Sequence, residues 1–181
     1  MFYIQAFDNF LLQKVINIQN PVLTSFMTFI TYLGSTGMCW LSIGLLFLFY
    51  RKTREIGLIL IVTIILGGLL NDLILKNIFT RQRPFDSISW VSALIPKPSS
   101  YSFPSGHAFS SFAAAYIIAQ HSKKGGICAY ILAALIAFSR VYLRVHYPTD
   151  IIAGAAFGTL FSVLLFIAYY HIKGLHKKRY G

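Results

Sequence analysis

Charge is scarce in this 181-residue chain: 12% of its residues are Asp, Glu, Lys or Arg, and only five of those are acidic. Five carboxylates spread along the sequence leave no cluster of the kind that holds magnesium. Cysteine is nearly absent too. Cys39 and Cys128 stand alone in apolar runs, which excludes a disulfide framework and a cysteine-based zinc site, so both read as packing residues. Residues 1 to 20 lack the basic start, uninterrupted apolar centre and small-residue cleavage site of a secretory signal, and the N-terminus is expected to be retained. What fills the chain is hydrocarbon: 56% of residues are hydrophobic and the mean hydropathy is +0.65. These values predict an integral membrane protein, multi-pass, with residues 1–181 as one domain, since each crossing takes roughly 20 residues.

The formal charge of +11 would suit nucleic acid, but the basic residues occur in short segments between apolar runs rather than along one soluble face. The expected partners are the bilayer and its phosphate headgroups, with no nucleic acid. The chain reads as all-α: a polytopic membrane bundle of about six transmembrane helices preceded by an amphipathic helix at the interface. In that helix Ile4, Phe7, Leu11, Val15 and Ile18 alternate with Gln5, Asp8, Asn9, Lys14 and Asn17 at three-to-four spacing. The six runs are Pro21 to Leu33, Met38 to Tyr50 beyond a Gly-Ser-Thr-Gly break, and about Ile56 to Phe79, His107 to Gln120, Gly126 to Leu143 and Thr149 to Tyr170. Basic residues follow the second run (Arg51, Lys52, Arg54), the fourth (Lys123, Lys124) and the sixth (Lys173, Lys177, Lys178, Arg179), so these ends are predicted to face the cytoplasm.

The remaining polar residues then fall on the opposite face in three ordered clusters: Lys76 with Arg83-Pro84, Pro104-Ser105-Gly106-His107, and Ser139-Arg140 with His146 and Asp150. Lys76, Arg83 and Arg140 can form a three-cation cradle for a phosphate, the arginines as bidentate forks and the lysine as a point charge. Pro104 reads as the first helical position of the fourth run, which would aim the free N–H groups of Ser105 and Gly106 at an anion. His107 on that first turn suits a general acid. Asp150 would orient His146, leaving its other ring nitrogen free as a nucleophile. Asp72, one turn before Lys76, is expected to pair with it. Arg81 and Arg144 are on the same face and could grip a second phosphate, a headgroup or the interface. The loop from Phe85 to Phe103, with Trp90, Pro96 and Pro98, is expected to cover the entrance.

Lys-x6-Arg-Pro, Pro-Ser-Gly-His and Ser-Arg-x5-His-x3-Asp, in this order, resemble the type 2 phosphatidic-acid phosphatase (PAP2) family from Lys76 to Asp150. The resemblance implies a membrane lipid phosphatase with a phosphohistidine formed on His146, His107 protonating the leaving alcohol, and no metal or other cofactor. Polyprenyl diphosphates, phosphatidylglycerophosphate, phosphatidic acid and lipid A phosphates are the substrates it suggests. A vanadate-dependent haloperoxidase shares such a site without needing membrane spans, and a lipid-binding or transport protein could use the same basic pocket without turnover. Neither pairing nor spacing speaks to oligomeric state.

Overall fold

The computed structural model describes the backbone of residues 2–180 and the side chains of residues 3–175. Lys177, Lys178 and Arg179 therefore lie outside the described side chains. Every regular element among the described residues is helical: α1 (Phe2–Asn17), α2 (Pro21–Leu33), α3 (Met38–Leu48), α4 (Arg54–Leu69), α5 (Lys76–Phe79), α6 (Pro84–Ser87), α7 (Gly106–His121), α8 (Lys123–Tyr142) and α9 (Pro148–Tyr180). A π-helical segment, Leu70–Leu75, joins α4 to α5 without a break.

Three stretches are long and apolar enough to cross a membrane: Arg54–Ser87, Lys123–Tyr142 and Pro148–Leu175. Neither α2 nor α3 is long enough to cross a membrane alone. With 13 and 11 residues they are about 20 and 16 Å long, well short of a hydrocarbon core of about 30 Å. They follow one another across a 44° bend, and only taken together are they long and apolar enough for a crossing. The bend is the Gly-Ser-Thr-Gly sequence, where Thr36 and Gly37 adopt positive φ (50° and 70°). Three to four candidate spans are thus found among the described residues. Helix α7 has only 16 residues, but it needs little lipid-compatible surface, because Phe109, Ala113, Ala114, Ile117 and Ile118 are buried among its neighbours.

Close packing at α7 follows from two glycines four residues apart on α9. A Cβ on Gly154 would lie 2.5 Å from the Ser105 carbonyl oxygen, and one on Gly158 would lie 2.1 Å from that of Phe109. Small residues at this spacing let two membrane helices touch backbone to backbone. Trp40 of α3 is fully buried against the same helix and donates to Ser111 Oγ at 3.0 Å. The bundle has two chemically distinct ends. Lys173 reaches Glu55 at 2.6 Å and Phe47 meets His121, so the basic loops share one end. The motif residues gather at the other.

Helix α1 forms where the apolar spacing predicts a helix; Lys14 and Asn17 of its polar side are exposed, but not all of that side is. Asp8 is fully buried, Leu12 packs with Val91 and Val141, and Tyr3, Ile4, Phe7 and Phe10 are exposed. Asp8 turns inward because it has an ion-pair partner inside the bundle.

Candidate active site

A cavity of about 430 Å³ opens at the motif end, walled by Lys76, Arg83, Gly106, His107, Arg140 and His146. The π-helical segment sets its first wall. An extra residue per turn re-aims side chains, and here it places Asn71, Asp72 and Lys76 together at the cavity. Lys76 pairs with Asp72 at 2.7 Å, the expected one-turn pair, and donates to Ser100 Oγ at 3.0 Å. Asp72 is 60% exposed at the cavity rim while Lys76 is buried.

Arg83 acts as a clamp. Its Nε donates to the Ser100 carbonyl at 2.8 Å, Nη1 to the Val145 carbonyl at 2.7 Å, and Nη2 to the Tyr101 carbonyl at 3.3 Å. One guanidinium thereby ties the loop before α7 to the turn before α9. Nη1 also lies 3.2 Å from His146 Nε2. That nitrogen faces the cavity cations, while Nδ1 faces Asp150 Oδ2 at 3.4 Å. Asp150 Oδ2 is held in turn by Ser102 Oγ at 2.5 Å and the Tyr147 N–H at 2.9 Å. Complete burial pushes the His146 imidazole down to about 3, with the Arg83 and Arg140 charges adding to the shift and the Asp150 hydrogen bond opposing it. The ring is therefore neutral near neutral pH, with Nδ1–H directed at the carboxylate and the Nε2 lone pair available.

Arg140 is buried at the last turn of α8 and donates from Nη1 to Thr31 Oγ1 at 2.7 Å, which anchors α2 to the site. Its Nε, His107 Nε2 and Asn71 Oδ1 have no protein partner, and all three residues line the cavity. Buried polar atoms are nearly always satisfied, so this concentration marks a place built for a polar ligand. His107 is held from the α2–α3 bend: a Cβ on Gly34 would come within 2.9 Å of its Cδ2. Among the described residues, no three His, Cys, Asp or Glu side chains come together as a metal site.

Several residues have other duties than their spacing suggests. Helix α7 begins at Gly106, not Pro104, and Ser105 is its N-cap, with Oγ accepting from the Ala108 N–H at 3.5 Å. The Ser105 N–H donates to the Asp150 carbonyl at 3.1 Å, so Ser105 is used in joining α7 to α9, while Gly106 remains at the cavity wall. A Cβ on Gly106 would meet Asn71 Nδ2 at 3.2 Å, so the glycine also serves close packing on the π segment. Arg81 does not line the cavity; it is enclosed by Asp8, Thr149 and Asp150. Arg144 turns away as well and donates to Gln19, at a positive-φ position (63°) that reverses the chain after α8. The loop expected over the entrance supplies Pro98 and Ser100 to the wall. Ser102, Thr31, Asn71 and Gly34 are site residues that motif spacing misses, because each works through a fold contact rather than a local pattern.

Comparison with known proteins agrees with this arrangement. Over 153 residues the chain is 35% identical to an undecaprenyl-diphosphatase of Sulfolobus acidocaldarius, covering 83% of this chain and 73% of that protein. It is 33% identical over 176 residues to phosphatidylglycerophosphatase B of Bacillus subtilis, covering 90% and 83%. The crystal structure of a transmembrane PAP2 type phosphatidylglycerolphosphate phosphatase from Bacillus subtilis superposes with a TM-score of 0.76 at 32% identity, covering 98% of this chain and 88% of that one. The PAP2 superfamily model matches residues 56–173, a stretch that holds all three clusters and every cavity cation, and the chain belongs to that superfamily.

Proposed function

We propose that this protein, a membrane lipid phosphatase of the PAP2 type, hydrolyses a lipid phosphate by way of His146. In this reading His146 Nε2 attacks phosphorus and the P–O bond to the lipid breaks. His107 gives its proton to the departing oxygen, and water then cleaves the P–N bond to release phosphate. Lys76, Arg83 and Arg140 hold the phosphoryl oxygens as charge shifts in the transition state. Asp150, behind Nδ1, stabilises the positive ring that forms on attack. These roles need no metal, because fixed cations supply the charge stabilisation.

The observation that carries the reading is one arrangement: a neutral, buried imidazole whose Nε2 is 3.2 Å from an arginine, with a carboxylate behind it and a partnerless His107 Nε2 in the same cavity. The cavity continues into an apolar wall of Leu41, Ile64, Ile65 and Leu69, suited to a hydrocarbon chain. A non-catalytic binding or transport role would leave the carboxylate behind His146 without a purpose. The loops carrying Arg51, Lys52, Lys123 and Lys124 support a cytoplasmic basic end and a site on the non-cytoplasmic face. In this reading α2 and α3 together make one crossing and α7 another, five in all, with α1 on the site side.

The test is phosphate release by the purified protein in detergent from polyprenyl diphosphate, phosphatidylglycerophosphate, phosphatidic acid and lipid A, with EDTA present. Release by the wild type and none by His146→Ala is expected. Full release by His146→Ala, or activity abolished by EDTA and restored by a divalent cation, would overturn the mechanism.

A further inference from the structure

Asp8 is a buried carboxylate in a helix outside the stretch matched by the family, and Arg81 is a cation outside the three motifs. They meet behind the catalytic pair. Arg81 Nη2 lies 2.6 Å from Asp8 Oδ2, and Arg81 Nη1 lies 2.6 Å from Asp150 Oδ1, so one guanidinium bridges two fully buried carboxylates. Thr149 closes the group: its N–H donates to Asp8 Oδ1 at 2.9 Å, its hydroxyl donates to Asp8 Oδ2 at 2.6 Å and accepts from Arg81 Nη1 at 2.8 Å. Asp8 thus caps the start of α9 from another helix, one residue from Asp150. The Arg81 guanidinium also stacks 4.0 Å from the Tyr147 ring, next to His146. Gln5 Oε1, at 3.4 Å from Nη2, is a further α1 contact.

We propose that Asp8 and Arg81 are positioning residues of the phosphatase centre, through which helix α1 sets the orientation and charge of Asp150 and so of His146. The inference rests on the catalytic reading of His146 given above. Asp150 uses its two oxygens differently: Oδ2 serves Ser102, Tyr147 and the His146 side, whereas Oδ1 is given to Arg81. Arg81 keeps the carboxylate ionised and unable to rotate. Asp8 takes up part of the arginine charge, so Asp150 is not fully neutralised and can still stabilise a positive imidazole ring. Without Arg81, two buried carboxylates would face each other with no cation between them.

The groups that set the protonation of His146 come from every element around it. Asp150 on α9 favours the charged ring. Arg83 before α6 and Arg140 on α8 oppose it, and His107 on α7 and Lys76 on α5 lie across the cavity. Arg81 and Asp8 act one step behind Asp150. Removing Arg81 therefore raises the acid limb of kcat, because the negative charge of Asp150 is then no longer offset and eases protonation of His146. Removing Asp8 as well lifts the repulsion and moves the limb back.

The experiment uses full-length protein in detergent and the lipid of the panel above that the wild type cleaves fastest. Arg81→Gln is expected to lower kcat ~10–100-fold with KM within about twofold, since Arg81 does not touch the cavity, as for other outer partners of catalytic groups. Its acid limb should rise by about one pH unit or more relative to the wild type. The double variant Asp8→Asn/Arg81→Gln should recover part of that shift, and Arg81→Lys, which retains a cation between the carboxylates, should keep the wild-type limb. If Arg81→Gln does not accumulate as folded protein, the isosteric Asp8→Asn carries the test with an expected ~10-fold loss of kcat at unchanged KM. Wild-type kcat and acid limb in the folded variants, or a double variant lower than Arg81→Gln with no limb shift, overturn the inference and leave the catalytic reading standing. Turnover by His146→Ala overturns both.

Discussion

Replacing Asp150 by Asn changes one atom and removes a charge at the centre of the site. The carboxylate accepts from Arg81, Ser102 and the Tyr147 N–H at 2.5–2.9 Å and lies 3.4 Å from His146 Nδ1. In the transition state the ring becomes positive, and a full charge at that separation contributes about 5 kcal/mol at an effective dielectric of about 20. The amide dipole retains part of this, so a loss of about 10³ in kcat is expected, equivalent to about 4 kcal/mol of barrier. The amide also has only one acceptor. If it serves Arg81, the NH₂ opposes the Tyr147 N–H and the His146 Nδ1–H; if it serves those groups, the NH₂ opposes Arg81. Asp150 does not line the cavity, so KM should stay within about twofold. Steady-state phosphate release in detergent, with size exclusion and far-UV circular dichroism to confirm folding, measures the split. A folded Asp150→Asn protein within about fivefold of wild-type kcat would refute the role of the carboxylate.

The other expectations are simpler to state. His107→Ala should lose far more activity on alkyl than on aryl phosphate, because a good leaving oxygen departs without the proton; equal losses would remove its general-acid role. Arg144→Ala should change kcat/KM for monophosphate and diphosphate lipids by the same factor, since its guanidinium serves Gln19; a selective loss on diphosphates would show that it reaches substrate. Gly158→Ala puts a Cβ 2.1 Å from the Phe109 carbonyl oxygen and should cost about 1–3 kcal/mol, read as a lowered thermal midpoint in detergent. Burial holds His146 near 3 when folded against an ordinary 6.5, so the unfolded chain binds the extra proton between those values and stability falls as pH drops from 6.5 toward 3. Thermal midpoints across that window should flatten in His146→Gln; an unchanged slope would mean His146 is not buried neutral.

Much of the centre is legible because phosphate chemistry confines it to a few residue types at fixed helical offsets. The four-residue offset from Asp72 to Lys76 brings an ion pair together even where the turn is locally π-helical, and the same offset from His146 to Asp150 leads from the turn before α9 into its first turn. What spacing leaves undecided has one cause. Arg81 and Arg144 stand on the correct face, but only tertiary contacts reveal that their guanidiniums are already occupied. Asp8 belongs to the polar side of an amphipathic pattern, and the periodicity cannot distinguish a carboxylate facing water from one facing a buried arginine. The two short runs around Gly34–Gly37 are each apolar, and hydropathy cannot tell a hairpin from a bend. Backbone geometry at Thr36 and Gly37 sets the 44° bend, and Gly34 beside it leaves room for His107.

The charges at this end of the bundle follow one physical rule. An apolar fold tolerates buried ions only when each has a partner, and most of them here do: Lys76 has Asp72, and Arg81 has Asp8 and Asp150. Arg83 and Arg140 are the exceptions, because their partners are carbonyls and hydroxyls rather than carboxylates. Two buried cations compensated only by dipoles make the cavity electropositive. A dianionic phosphate supplies the missing charge, so binding stabilises a site that the folded protein holds at a cost. The apolar wall beyond them has no such electrostatic demand. Phosphate capture and lipid choice are therefore separable, and substitutions at Leu41, Ile64 or Leu69 should alter the preference for one lipid chain over another while leaving short-chain phosphate esters unaffected. Phosphate release from one headgroup carried on two chain lengths measures this, and an equal loss on both would place those residues in the phosphate site instead.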